Sequence, residues 1–143
     1  MQNCWTVLSG RAKSKANDIQ VLVVQARARV TQLQGSAAHI EKLRLDYVSR
    51  YQLAQKQSHM IGDNLAYRQF LDHLHGLAER VQGQLTAALR EYEAIKQSWA
   101  DAQREQVKME AMVERDARNT AQTKAKREQK EIDAAGITLF NLR

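Results

Sequence analysis

Four histidines and one cysteine are the side chains here best suited to hold a metal or to act as base or nucleophile, and their spacing assembles neither chemistry. His73 and His75 stand two residues apart, which on a helix turns them about 200° from one another, so they cannot ligate one ion. His39 and His59 have no companions at ligand spacing. All four read as solvated side chains. The lone Cys4 has no partner for an internal disulfide and reads as a bystander near the terminus, which fits a reducing intracellular compartment. The sequence carries no phosphate-cradling glycine loop, no nucleophile elbow and no helical metal motif. No catalytic, cofactor or metal site is expected, and no enzyme.

Charge offers a second kind of chemistry, the recognition of a partner. The net charge is +6. Residues 1 to 57 carry nine Lys/Arg against three Asp/Glu, whereas residues 58 to 143 carry thirteen of each. A basic first half suits nucleic acid, an anionic membrane surface or an acidic protein. Arg11, Lys13, Lys15, Arg27 and Arg29 cluster toward one end and read either as a solvated outer face or as a grip on an acidic partner. Trp5, Trp99, Tyr47, Tyr51, Tyr67 and Tyr92 fall mostly on the apolar stripe described below and fill it, which weighs against a base-stacking platform. A nucleic-acid complex would in any case reveal itself by weakening steeply with salt.

The elements that must position these residues are helices. Aromatics make up 6% of the chain, there is no proline, and six glycines leave few places to reverse direction. Helix formers dominate. The longest apolar run, Val21 to Val24, is far short of the ~20 residues a membrane helix needs, and the apolar Trp5–Leu8 stretch precedes its basic residues, unlike a targeting signal. The chain is expected to be cytosolic.

In the second half, apolar residues alternate spacings of three and four: Tyr67, Leu71, Leu74, Ala78, Val81, Leu85, Ala88, Tyr92, Ile95, Trp99, Ala102, Met109 and Val113, with Gln106 as the one interruption. A 3.5-residue repeat keeps one stripe facing a partner helix, which is the seam of a coiled coil. The first half repeats Trp5, Ala12, Ile19, Ala26, Leu33, Ile40, Tyr47 and Ala54 every seven, joined by Leu8, Leu22 or Val23, Val30, Ala37, Leu43 and Tyr51. Lys15, Arg29, Ser36 and Arg50 fall between them, so this seam is expected to be less continuous and to drift around its helix.

The turn signal is Met60-Ile61-Gly62-Asp63-Asn64, where Gly62 can close one helix and Asp63 can cap the next. The expected fold is all-α, one coiled-coil domain: a first helix over 1–60, a turn over 61–64, a second helix over 65–135 and a tail over 136–143. A short loop makes the helices antiparallel neighbours. Folding about residue 62 sets Ala26 near Trp99, Ile40 near Leu85 and Tyr47 near Ala78. At ~1.5 Å per residue the arms are on the order of 80 and 105 Å, so the second overhangs the first. Beyond Val113 the stripe fades into polar residues, and Gly136 is expected to end the helix, leaving Ile137 to Arg143 without a helical partner. Phe70 and Leu77 sit one residue before seam positions and widen the stripe; they read equally as a thicker seam or as a docking patch. Gly76 and Gly83 lie opposite, each costing ~1 kcal/mol of helix propensity relative to alanine.

Taken in order, Tyr47 and Tyr51, Met60-Ile61-Gly62, Tyr67, Phe70, Leu71 and Leu74, Trp99, Glu114-Arg115 and the closing Arg127-Glu128-Gln129-Lys130-Glu131-Ile132-Asp133 run resemble the bacterial flagellar export protein family FliJ, over about Leu43 to Asp133. The resemblance implies an antiparallel coiled coil similar to the γ stalk of rotary ATP synthases, serving as the shaft of the export ATPase hexamer of a type III apparatus. It implies three partners, namely that ATPase ring, the cytoplasmic domain of the export gate and export chaperones, with no small-molecule substrate and no nucleic acid. It places the protein in the cytoplasm, at the inner face of the membrane. Carried over by position, gate binding falls to Phe70, Leu74 and Leu77, and ATPase-ring binding to Arg11, Lys13, Lys15, Arg27, Arg29, Arg115, Arg127 and Lys130. Residues 1 to 40 show little specific similarity, and the apolar tail from Ala134 departs from the charged end expected of the family. A virulence injectisome stalk shares the shape, and a nucleic-acid-binding coiled coil or a parallel homodimeric scaffold uses the same helices differently.

Overall fold

A computed structural model describes residues 4–57 and 61–142. Two helices account for nearly all of them, α1 (Cys4–Gln57, 54 residues) and α2 (Ile61–Asn141, 81 residues), and they pack against each other as a helical hairpin. The chain divides into two compact units, one formed by residues 19–99 and the other by residues 1–18 with 100–143.

In the unit of residues 19–99, Val30 and Leu33 of α1 meet Leu85 and Ala88 of α2 in the core, with Tyr92 packed alongside. Tyr47 meets Tyr67 and Phe70. Rising numbers on α1 thus pair with falling numbers on α2, as antiparallel helices require. The register differs from a fold about residue 62: Tyr47 faces Tyr67 and Phe70 instead of Ala78. The connection lies at 58–60, between Gln57 and Ile61, and moving the pivot back by about three residues shifts every pair by nearly one heptad. Ile61, Gly62, Asp63 and Asn64 accordingly stand in the first turn of α2. Met60 and His59 lie outside the described residues.

Along α2, every seam position from Tyr67 to Val113 is buried or half-buried, Gln106 included. Gln106 fits because its Nε2 donates along the helix to Glu110 Oε1 at 3.0 Å. The seam of α1 proves as regular as that of α2. Lys15, Arg29, Ser36 and Arg50 are exposed, and the residue after each, Ala16, Val30, Ala37 or Tyr51, takes the inward position. Ala16 is only 3% exposed. At the ambiguous pair, Val23 is half-buried and Leu22 exposed, which completes an alternation of fours and threes from Ala12 to Ile40.

In the unit of residues 1–18 and 100–143, Trp5 of α1 lines a shallow groove with Met112, Arg115, Asp116 and Asn119 of α2. From Ala117 to Leu142 every residue is exposed. The helix does not stop at Gly136. No described glycine has positive φ, so Gly136 does not adopt the left-handed conformation of a helix terminus, and one glycine among alanine, isoleucine and leucine costs only ~1 kcal/mol of propensity. Leu142 N–H still donates to Thr138 C=O at 3.1 Å.

Candidate partner-docking surfaces

Among the described residues, the candidates for gate binding, Phe70, Leu74 and Leu77, and two of the candidates for ring binding, Arg27 and Arg29, belong to the unit of residues 19–99. Leu74 is 4% exposed, a seam residue held by the opposite helix, whereas Phe70 is 38% exposed and Leu77 half-buried. Seven residues are close to two helical turns, so Phe70 and Leu77 share one flank of the seam, and Leu74 supports them from beneath. The Phe70 ring lies 4.3 Å from that of Tyr47, at 40°. Tyr67 adds contacts to Tyr47 at 6.5 Å and to Tyr51 at 6.2 Å. The Arg50 guanidinium stands 5.3 Å above the Tyr47 ring, and Gln55 Nε2 donates to the Tyr51 hydroxyl at 2.8 Å. The result is a partly exposed aromatic cluster contributed by both helices. Reading the tyrosines one by one as seam fillers missed it, because a register displaced by a heptad puts Tyr47 against alanine.

Arg27 and Arg29 are exposed, and neither has a carboxylate partner among the described residues. Farther along α1 the arginines are paired: Glu41 accepts a two-pronged bond from Arg44, at 2.6 and 3.0 Å, and Asp46 lies 3.3 Å from Arg50. That pairing holds the Glu41 carboxyl below its ordinary range, chiefly through the hydrogen bond from Arg44.

The other six ring-binding candidates, Arg11, Lys13, Lys15, Arg115, Arg127 and Lys130, belong to the second unit and are all exposed. Arg115 lines the Trp5 groove, and Arg127 lines a polar groove on α2 with Asn119, Thr120, Thr123 and Lys124. The hydroxyls of Thr120 and Thr123 donate to the carbonyls of Asp116 and Asn119, so they are occupied within the helix and the cations dominate that face.

The surface suits macromolecular contact better than small-molecule chemistry. The grooves lined by both helices hold about 160 and 190 Å³, below the ~300 Å³ at which ligand pockets begin. The larger ones, about 510 and 410 Å³, are lined by one face of α2 alone and lie open to solvent rather than enclosing a ligand. Among the described residues no group of three His, Cys, Asp or Glu is placed to hold a metal ion, and no helix is long and apolar enough to cross a membrane. His73 is exposed, and His75 Nε2 lies 3.2 Å from Glu79 Oε1 on the surface.

No curated protein and no solved structure matches the chain. The family model described as flagellar FliJ protein does, over residues 6–143, which includes residues 6–40, where specific similarity is slight. The match spans nearly the whole of a two-helix hairpin whose seam, aromatic cluster and cationic end have just been described, and the chain belongs to the FliJ family of flagellar type III export proteins.

Proposed function

We propose that the protein is the central stalk and chaperone-escort component of the flagellar export apparatus, promoting assembly and activity of the export-ATPase ring and coupling it to the export gate. It works as a binding protein in the cytoplasm, at the inner face of the membrane, and catalyses no reaction of its own. The observation that carries this reading is the unit of residues 1–18 and 100–143. There α2 runs on past its last half-buried residue, Asp116, as an exposed helix bearing Lys124, Lys126, Arg127 and Lys130, within a chain matched by the FliJ family almost end to end.

In this reading Arg11, Lys13, Lys15, Arg115, Arg127 and Lys130 engage acidic groups of the ATPase ring, with Arg27 and Arg29 extending the contact. Charged contacts of this kind accelerate encounter and fix orientation more than they add affinity. Phe70 and Leu77 meet the cytoplasmic domain of the gate over the support of Leu74. The family match favours a flagellar over an injectisome system, and aromatics engaged with one another in the hairpin leave little platform for nucleic-acid bases.

The test is to mix the purified protein with the export ATPase of the same organism and follow hydrolysis and ring formation together. Stimulation that is lost when Arg115, Arg127 and Lys130 are reversed to glutamate supports the shaft. Rates and assembly unchanged over a wide range of protein concentration would end it.

A further inference from the structure

The face of α1 turned away from the seam carries a second repeat. Within the unit of residues 19–99 it passes through Val21, Val24, Ala28, Thr31, Gly35 and Ala38 at alternating spacings of three and four, and resumes at Leu45 beyond Lys42. Every one of these residues is exposed, Val21 by 56%, Val24 by 62% and Leu45 by 55%. Gly35 has nothing within 4 Å of where a Cβ would stand, and the Thr31 hydroxyl already donates to the Arg27 carbonyl at 3.0 Å.

A solvated helix face normally carries charge. The outer face of α2 in the same unit does so with Asp72, Arg80 and Arg90. On α1 the repeat from Val21 to Ala38 has no charged residue on it, and its 3.5-residue spacing is the spacing of a helix contact. From Val21 to Leu45 it is about 36 Å long.

The charges beside it indicate what covers it. Between Ile19 and Ile40, α1 has Arg27 and Arg29 and no acidic residue, and among the described residues neither arginine is paired. A second copy of the chain, antiparallel about Ala28 with valines against Gly35, would bring the Arg27 side chains of both copies together, and like charges at that position oppose it. A helix bearing carboxylates would instead pair Arg27, while Arg29, turned about 200° from it, lines a groove of the hairpin with Glu91 of α2.

We propose that this face of α1 docks an amphipathic helix of another protein, one that presents small apolar residues at 3.5-residue spacing and acidic residues beside them. The helices of the hairpin then form two sides of a three-helix contact, with α1 in the middle. This surface is separate from Phe70 and Leu77 but shares Arg27 with the ring contact proposed above. Substitution of Val21 and Val24, which leaves every ring-binding cation in place, separates failure of this docking from failure of the stalk reading.

The experiment is a fluorescence-anisotropy titration of the full chain with a synthetic helical peptide about four heptads long, with alanine and leucine on its seam and glutamate flanking it. A second peptide carries lysine in place of glutamate. The expected result is binding of the glutamate peptide alone, weakened about tenfold by Val21→Gln with Val24→Gln and severalfold by Arg27→Gln, with helicity unchanged because these side chains are exposed. Absence of binding, equal binding of both peptides, or indifference to the valine substitutions overturns the proposal. So does a dimer in sedimentation that Val24→Gln dissolves, which would make the second copy the occupant.

Discussion

Phe70 and Tyr47 pack ring against ring across the two helices, tilted by 40° with centroids 4.3 Å apart, and Phe70 keeps 38% of its surface open. The same ring therefore braces the hairpin and faces outward. Phe70→Ala is expected to cost about 1 kcal/mol of stability from the lost ring pair. In the proposed role it also weakens binding of the gate's cytoplasmic domain by about tenfold or more. Calorimetric titration beside a thermal melt separates the two effects, and Leu77→Ala should reproduce the binding loss with a smaller change in melting temperature.

Leu74→Ala is expected to behave differently. Its side chain is enclosed by the seam, so truncation leaves a cavity costing about 2–4 kcal/mol. Leu33→Ala in the core cluster should cost a similar amount, while Leu53→Ala, on an exposed side chain, should stay within about 0.5 kcal/mol. Urea denaturation of the three variants is the measurement.

Asn64 extends the seam of α2 toward the connection, and its Oδ1 is buried without a hydrogen-bond partner among the described residues. Replacing it with leucine should raise stability by about 1 kcal/mol, since it removes an unsatisfied acceptor and adds apolar contact. A melting temperature lowered by Asn64→Leu would show that the amide does have a partner in solution.

Gly76 and Gly83 lie in the interior of α2, with nothing within 4 Å of an added Cβ. Each substitution to alanine should stabilise the helix by about 0.5–1 kcal/mol, and the double variant by about the sum. If either glycine is needed for the close approach of a partner, the variant will melt later and bind worse.

The seam of α2 could be read from sequence residue by residue, because bulky side chains at fixed steps leave one choice of face. On α1 the small Ala16 carries so little hydrophobic signal that neighbouring Lys15 reads as an interruption, although Ala16 is the seam residue and is buried. The register was not readable. A heptad repeat looks the same after a shift of seven, and only the position of the connection decides between shifts. Gly136 misled for a related reason: glycine permits a helix to end but does not compel it. Of the candidate docking residues, the cations could be found from charge alone, whereas the pairing of Phe70 with Tyr47 required the correct register.

Past Asn119, which shares a groove with Trp5, every described residue of the second helix is exposed, and its order rests on hydrogen bonds within itself, such as Gln129 Nε2 to Asp133 Oδ1 at 3.0 Å. A helix draws most of its stability from a packed face, which this stretch lacks, so its amides should exchange with solvent far faster than those around Val30 and Leu85. Capture by a partner would then be recorded in the exchange pattern as a local freezing, and part of the binding enthalpy would be the heat of completing this one helix.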